Sequence, residues 1–293
     1  MDQKVVLITG TSSGFGKYIA QTMAKAGYIV VATMRNTGSK NKISAEDLIQ
    51  WAKNEEVELS VMELDVTSDT QVEKVINEIL AVEGRIDILV NNAGIAAMGY
   101  GETYSNRQLQ QLFDVNVIGS NRLIKNSVPV MRRQKSGLII QISSLAASLP
   151  MPYHGNYPAT KIAIETIVES YKYELAPFGI DVAIIQPGGF PTSLIDNALK
   201  PEDINTLEEY GQLADIPEKI FAGSAQALSS PDAPNPQAVA DAVLELANKE
   251  YGNRPLKTIV DKMGIEPVLN AAESINTHAE KIKTALMKTM GFA

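Results

Sequence analysis

The sequence predicts an α/β fold, a doubly wound parallel sheet of about seven strands with helices on both faces. Short β-branched runs alternate with longer stretches of helical period, the order that builds βαβ crossovers. Several of these runs are apolar at consecutive positions instead of alternating, as strands are when helices cover both faces of a sheet. A turn rich in glycine and serine, Gly10 to Gly16, joins the first run to the first helical stretch.

Taken in order, strands are expected at 5–9, 28–33, 59–64, 86–90, 137–142 and 180–185, with a seventh at 256–260. Helices are expected at 15–27, 44–54, 69–83, 105–133, 156–177 and 236–249. Between Pro187 and Pro236 the periodicity breaks, and Pro191, Pro201, Pro217, Pro231 and Pro234 punctuate short helical pieces. A connection that long usually covers a site, so 190–235 is read as a substrate-covering segment. Leu269, Ile275, Ile282 and Leu286 fall at helical spacing, which makes 264–293 a C-terminal helical extension. No linker divides the chain, and 1–293 is read as one domain.

Composition removes several classes of function. The 293 residues carry 26 Lys and Arg against 34 Asp and Glu, a net charge of -8, with no basic stripe to neutralise phosphates, so nucleic acid is not an expected partner. Cysteine is absent and only His154 and His278 are present, so disulfides, thiolate nucleophiles and a metal site are not expected. The apolar runs are shorter than the roughly 20 residues a membrane span needs, and the chain enters its first strand at Val5 without room for a signal peptide. A cytoplasmic protein is the expectation that follows.

The turn Thr9-Gly10-Thr11-Ser12-Ser13-Gly14-Phe15-Gly16 carries the first chemistry. Glycines at that place let the backbone approach a pyrophosphate, and the helix that follows offers unpaired N–H groups and a partial positive charge. A Rossmann-type dinucleotide site is therefore expected, held by Gly10, Ser12, Ser13, Gly14, Phe15 and Gly16. At the end of the second strand an acid would accept from a ribose 2′-hydroxyl and repel a 2′-phosphate. Ala32-Thr33-Met34-Arg35-Asn36 has no acid there, and the Arg35 guanidinium can pair with a phosphate, so NADP(H) is the expected cofactor.

The remaining motifs follow in fixed order: Asp65-Val66, Asn91-Asn92-Ala93-Gly94, Asn116, Ser144, Tyr157-x-x-x-Lys161 and Pro187-Gly188-x-x-x-Thr192. Together with the glycine turn they make the chain, from residue 4 to about 192, resemble the short-chain dehydrogenase/reductase family. Ala32-Thr-Met-Arg35 and the late strand resemble its 17β-hydroxysteroid dehydrogenase-like branch. The resemblance implies four catalytic residues, Asn116, Ser144, Tyr157 and Lys161. It also implies cofactor contacts from Asp65 and Val66 at adenine, from Asn92, Ala93 and Gly94, and from Pro187, Gly188, Phe190 and Thr192 at the nicotinamide carboxamide. For Asn116 the implied role is to hold a water that connects to the lysine, while an asparagine in an apolar helix equally fits a structural cap or kink. Asp65 equally fits an Asx turn before the helix at 69.

Tyr157 and Lys161, four apart on a helix, share one face. A nearby ammonium is expected to lower the phenol's proton affinity and suit it to acid–base work. Tyr157 is then expected to pass a proton to or from the substrate oxygen as hydride moves to or from nicotinamide, and the resemblance implies that Lys161 also holds the ribose hydroxyls and that Ser144 polarises that oxygen. The thirteen-residue interval to Tyr157 that the family usually shows selects Ser144 over Ser143, which is left to support the loop. His154 is read as a residue of the pocket mouth and His278 as a surface residue.

The expected activity is oxidoreduction between a carbonyl and a secondary alcohol of a small hydrophobic molecule, by a homodimer or homotetramer paired, as the resemblance implies, through the helices at 105–133 and 156–177. Ala96, Leu145, Met151 and Tyr153, with the cover, are expected to wall the substrate pocket. Two alternatives stand beside it. A catalytically silent NADP(H)-binding sensor or scaffold would not need the tyrosine hydroxyl. An acyl-carrier-protein ketoreductase would favour a basic entrance, whereas the cover carries Asp196, Glu202, Asp203, Glu208, Glu209 and Asp215.

Overall fold

The structure is a computed structural model that describes residues 3–261 and 266–289. Seven parallel strands form one sheet: β1 (Val5–Thr9), β2 (Ile29–Met34), β3 (Leu59–Glu63), β4 (Ile88–Asn91), β5 (Gly137–Ile142), β6 (Ile180–Pro187) and β7 (Lys257–Val260), in the order β3-β2-β1-β4-β5-β6-β7. The chain winds outward from β1 in one direction to β3, then crosses back to β4 and winds the other way. The crevice between β1 and β4, at the carboxyl ends of the strands, is where an open α/β sheet of this Rossmann type leaves room for a ligand.

Consecutive apolar residues in the strands reflect burial on both sides. Val6 and Ile8 pack into one layer with α1 (Gly14–Lys25), α2 (Lys42–Asn54) and α9 (Gln237–Asn248). Their neighbours Val5 and Leu7 pack into the other, with α3 (Asp69–Glu83), α5 (Ser120–Gln134) and α6 (Asn156–Leu175). A third, smaller apolar cluster lies above the sheet and includes Ala96, Leu112 and Tyr157.

One expected element is built differently. The helix predicted over 105–133 is α4 (Asn106–Phe113), a π-helical turn (Asp114–Gly119) and α5 in unbroken succession. The turn ends where there is no room for a side chain: a β-carbon on Gly119 would stand 2.7 Å from Val66 Cγ2 and 3.1 Å from the Asp114 carbonyl oxygen. The strand predicted at 180–185 runs on to Pro187, which pairs in register with Val260.

The proline-punctuated segment holds α7 (Ile204–Glu209) and α8 (Ile216–Leu228). It is stitched to the loop after β4: the Leu199 N–H donates to the Ala96 carbonyl at 2.8 Å and the Asp203 N–H to the Thr103 carbonyl at 3.1 Å. Tyr210 stacks on Tyr100, with ring centroids 3.7 Å apart, and its hydroxyl donates to Glu102. The last helix, α10 (Glu266–Thr289), exposes Ile275, Ile282 and Leu286. Residues 264 and 265 and 290–293 of the predicted extension lie outside the described residues. Among the described residues no helix is long and apolar enough to cross a membrane.

Candidate active site

The first turn is shaped by what its glycines permit. Gly10 and Gly14 have φ of +72 and +54, and a β-carbon on Gly16 would stand 2.2 Å from the Gly10 carbonyl oxygen. Asn92 fixes the turn from the next strand, its Nδ2 donating to the Thr9 carbonyl at 2.9 Å and the Gly10 carbonyl at 3.0 Å. Thr9 Oγ1 in return accepts from the N–H groups of Asn92 and Ala93, both at 3.0 Å. At the start of α1 the Ser13 side chain caps no backbone N–H and the first turn holds no acid, so those amides face the cleft unscreened.

That cleft, of about 460 Å³, brings most of the sequence-predicted residues together. Gly10, Ser12, Ser13, Gly14 and Phe15 line it, together with Arg35, Asp65, Val66, Asn92, Ala93 and Gly94. Tyr157, Lys161 and Thr192 line it as well, Thr192 standing next to Gly14. A cleft with a glycine cradle, an unscreened helix N-terminus and an arginine in its lining fits a nicotinamide dinucleotide. Sequence reasoning missed Lys40, which lines the cleft together with Arg35, and Ser193 and Asn197, which line it with Thr192. Lys40 belongs to a polar loop whose charge was visible but whose fold was not: the Asn41 side chain donates to the Arg35 carbonyl at 2.7 Å and turns the loop back. Ser193 Oγ meets Ser13 Oγ at 2.7 Å, tying the segment after β6 to the first turn.

Six predicted residues, Gly16, Asn116, Ser144, Pro187, Gly188 and Phe190, do not line the cleft. Gly16 faces the turn itself. Gly188 packs against Asp261, donates its N–H to the Val260 carbonyl at 2.8 Å and follows Pro187 at the end of β6. Phe190 is buried edge-on against Phe15, ring centroids 5.4 Å apart, so it supports the wall from behind. Ser144 lies beside the Tyr157 hydroxyl, hydrogen-bonded to it, and also accepts from the Ala146 N–H at 3.1 Å. Asn116, in the π-helical turn, spends its side chain on structure: Oδ1 accepts from the Ile95 N–H at 2.9 Å, and Nδ2 donates to the Ile95 carbonyl at 2.9 Å and Thr160 Oγ1 at 3.0 Å. Asp65 makes the Asx turn, with Oδ1 accepting from the N–H and hydroxyl of Thr67 at 2.9 and 2.7 Å.

Tyr157 and Lys161 project from the first turns of α6 and are 5% and 4% exposed. The sequence predicts a phenol lowered by the ammonium, and the structure reverses that expectation. Burial in the small apolar cluster pushes Tyr157 up to about 12, only partly offset by the Ser144 hydrogen bond. The Lys161 nitrogen stands 5.6 Å from the phenol ring centroid and donates to the Ile142 carbonyl at 3.1 Å. Burial lowers Lys161 to about 8, with Glu165 pulling the other way. At neutral pH the site therefore holds a protonated phenol between a hydroxyl and an ammonium, a proton donor with a hydrogen-bonding neighbour and a nearby positive charge.

His154 stacks on Tyr157, centroids 5.1 Å apart, under the edge of Phe221 from α8, and its burial lowers it to about 4. His278 is exposed. Among the described residues no group of three His, Asp or Glu side chains is arranged to hold a metal ion.

Residues 4–203 match the family described as short chain dehydrogenase. A 3-ketodihydrosphingosine reductase of Bacteroides thetaiotaomicron is 34% identical over 210 residues, 72% of this chain and 72% of its own length. The 17-beta-hydroxysteroid dehydrogenase type 1 of Homo sapiens is 30% identical over 255 residues, 83% of this chain and 74% of its own length. Among solved structures, a short-chain dehydrogenase from Streptomyces avermitilis superposes with a TM-score of 0.78 at 29% identity, covering 99% of each chain.

Proposed function

The chain belongs to the short chain dehydrogenase family, and from that premise we propose that it is an NADPH-dependent carbonyl reductase acting on a small, largely apolar ketone or aldehyde. The observation that carries the reading is Tyr157, buried beside Ser144 and Lys161 and pushed up to about 12 by that burial. A phenol held in its acid form is ready to give a proton, which is what reduction of a carbonyl requires.

Bound NADPH supplies the hydride that reduces the carbonyl carbon. Tyr157 gives its phenolic proton to the carbonyl oxygen, and the Ser144 hydroxyl hydrogen-bonds the same oxygen and aligns it. Lys161 stabilises the phenolate left behind and holds the cofactor ribose. Asn116 fixes the backbone of Ile95 against the start of α6, which supports a positioning role for it.

Gly10, Ser12, Ser13, Gly14 and Phe15 would hold the pyrophosphate, with Gly16 permitting the turn. Arg35 and Lys40 would pair with the 2′-phosphate, and Asp65 and Val66 would border adenine. Asn92, Ala93 and Gly94 would line the ribose side, and Thr192, with Pro187, Gly188 and Phe190 behind it, the carboxamide side. The segment at 190–235 covers the substrate, and the apolar cluster of Ala96, Ala97, Leu194 and Leu199 around Tyr157 supports an apolar substrate. Exposed Ile118 and Ile162, on the helical faces that the family resemblance implicates in pairing, support a homodimer or larger assembly.

Two measurements test the reading. NADPH absorbance followed across ketones, aldehydes and alcohols should find ketones or aldehydes that oxidise the cofactor, and no turnover with any apolar carbonyl would contradict it. Arg35→Ala should weaken NADPH about 10- to 100-fold, the worth of a charge-assisted phosphate contact, while leaving NADH affinity unchanged. Equal loss for both cofactors would remove Arg35 from the 2′-phosphate.

A further inference from the structure

One helical turn beyond Lys161, the carboxylate of Glu165 is buried in the same layer, 4% exposed, and no step of the proposed reaction uses it. A buried carboxylate needs partners, and this one has four. Ser143 Oγ donates to Oε1 at 2.5 Å. Gln186 Nε2 from β6 donates to both oxygens, at 2.8 and 3.1 Å. Lys257 of β7 pairs with Oε2 at 3.0 Å, and Lys161 faces the carboxylate from the same helix. Around this core, Ser148 Oγ meets the Gln186 amide and Lys257 also pairs with Glu169 at 2.5 Å. Glu169 in turn takes Lys283 of α10 at 2.5 Å.

We propose that Glu165 is a positioning residue of the active site: its carboxylate keeps Lys161 an ammonium and, through Ser143, anchors the strand end that presents the Ile142 carbonyl and Ser144. Burial works against the charge on Lys161, and a fixed anion one turn away is the counterweight. The other end of the anchor is chemical too. Ser143 sits between the carbonyl that accepts from Lys161 and the hydroxyl that meets Tyr157, so the Glu165 hydrogen bond sets both. Lys257 and Lys283, which balance Glu165 and Glu169, lie beyond residue 203, where the family match ends. The carboxy-terminal strand and helix thus take part in setting the charge of the site.

This inference rests on the reading of Lys161 as an ammonium that supports proton transfer, and the readout that decides it needs neither substrate nor turnover. In the full-length protein, the rate at which acetic anhydride acetylates Lys161 is followed across pH by digestion and mass spectrometry, giving the midpoint of its titration. The midpoint near 8 in the wild type should fall by about one pH unit in Glu165→Gln, the size of a Coulomb interaction across one helical turn. Lys257→Met removes a neighbouring cation and should move it upward. Ser143→Ala takes away a hydrogen bond but no charge and should leave the midpoint in place while slowing turnover. Opposite shifts in the two charge variants are the signature, because general damage to the fold would move both alike. Shifts of the same sign, an unmoved midpoint in Glu165→Gln, or a shift in Ser143→Ala as large as in Glu165→Gln would overturn the proposal. If Glu165→Gln does not fold, the upward shift in Lys257→Met decides the matter, and its absence counts against us. A failure to find any carbonyl substrate would sink the reductase reading and leave these midpoints standing on their own.

Discussion

Lys161 is the residue at which folding and function pull apart. Its folded titration, near 8, lies below the 10.5 of an exposed lysine because burial penalises the ammonium. Between those two values the unfolded chain binds more protons than the folded one, so stability rises with pH through that window. Below about 8 the penalty is fully present. Lys161→Met should therefore abolish turnover and remove the rise of stability with pH between about 8 and 10.5 that the wild type shows. A variant that kept the wild-type pH dependence in that window would mean that Lys161 is not the group that titrates there. The same titration shapes the rate: reduction should be level below about 8 and decline above it, whereas Tyr157, pushed up to about 12 by burial, stays protonated throughout. The sequence placed Tyr157 and Lys161 on one helical face and so found the pair, but it misjudged the phenol. Proton affinity depends on how far the apolar cluster closes over the ring, which spacing along a helix does not reveal.

At the scale of elements, the first turn and the π-helical turn teach opposite lessons. The glycines of the first turn are legible because backbone geometry demands them: Gly16→Ala would put a methyl 2.2 Å from the Gly10 carbonyl oxygen. That variant should bind NADPH at least about tenfold more weakly and lose roughly 1–3 kcal/mol of stability, a cost typical of overpacking. Unchanged cofactor binding would show that the turn yields without consequence. The π-helical turn at Asp114–Gly119 was invisible in the sequence, where 105–133 reads as one helix, and the residues its side chains meet come from elsewhere in the chain. Val66 fills the place of a Gly119 β-carbon, and Asn116 is committed to Ile95 and Thr160. The loop carrying Arg35 and Lys40 was legible as charge and not as shape, since its return depends on the Asn41 side chain.

Across the whole molecule, the doubly covered sheet was the most readable feature. Alternate residues of a strand such as Val5 to Ile8 feed opposite layers, so every position is apolar and the pattern is unambiguous. The cover was legible only as an interruption, because its short helices are held by contacts such as Tyr210 on Tyr100 that leave no periodic trace. If the pairing proposed for this chain uses the exposed faces around Ile118 and Ile162, its mass in dilute solution should be twice the 31.7 kDa of the chain or a higher multiple, and Ile162→Arg should shift it toward the monomer. A wild-type monomer would contradict that arrangement. The central claim is that Tyr157 carries the proton, and replacing it with phenylalanine tests this most directly. Tyr157→Phe removes one oxygen from a buried ring and should cut carbonyl reduction by about 10²- to 10⁴-fold while NADPH binding survives. Turnover at the wild-type rate would contradict the account.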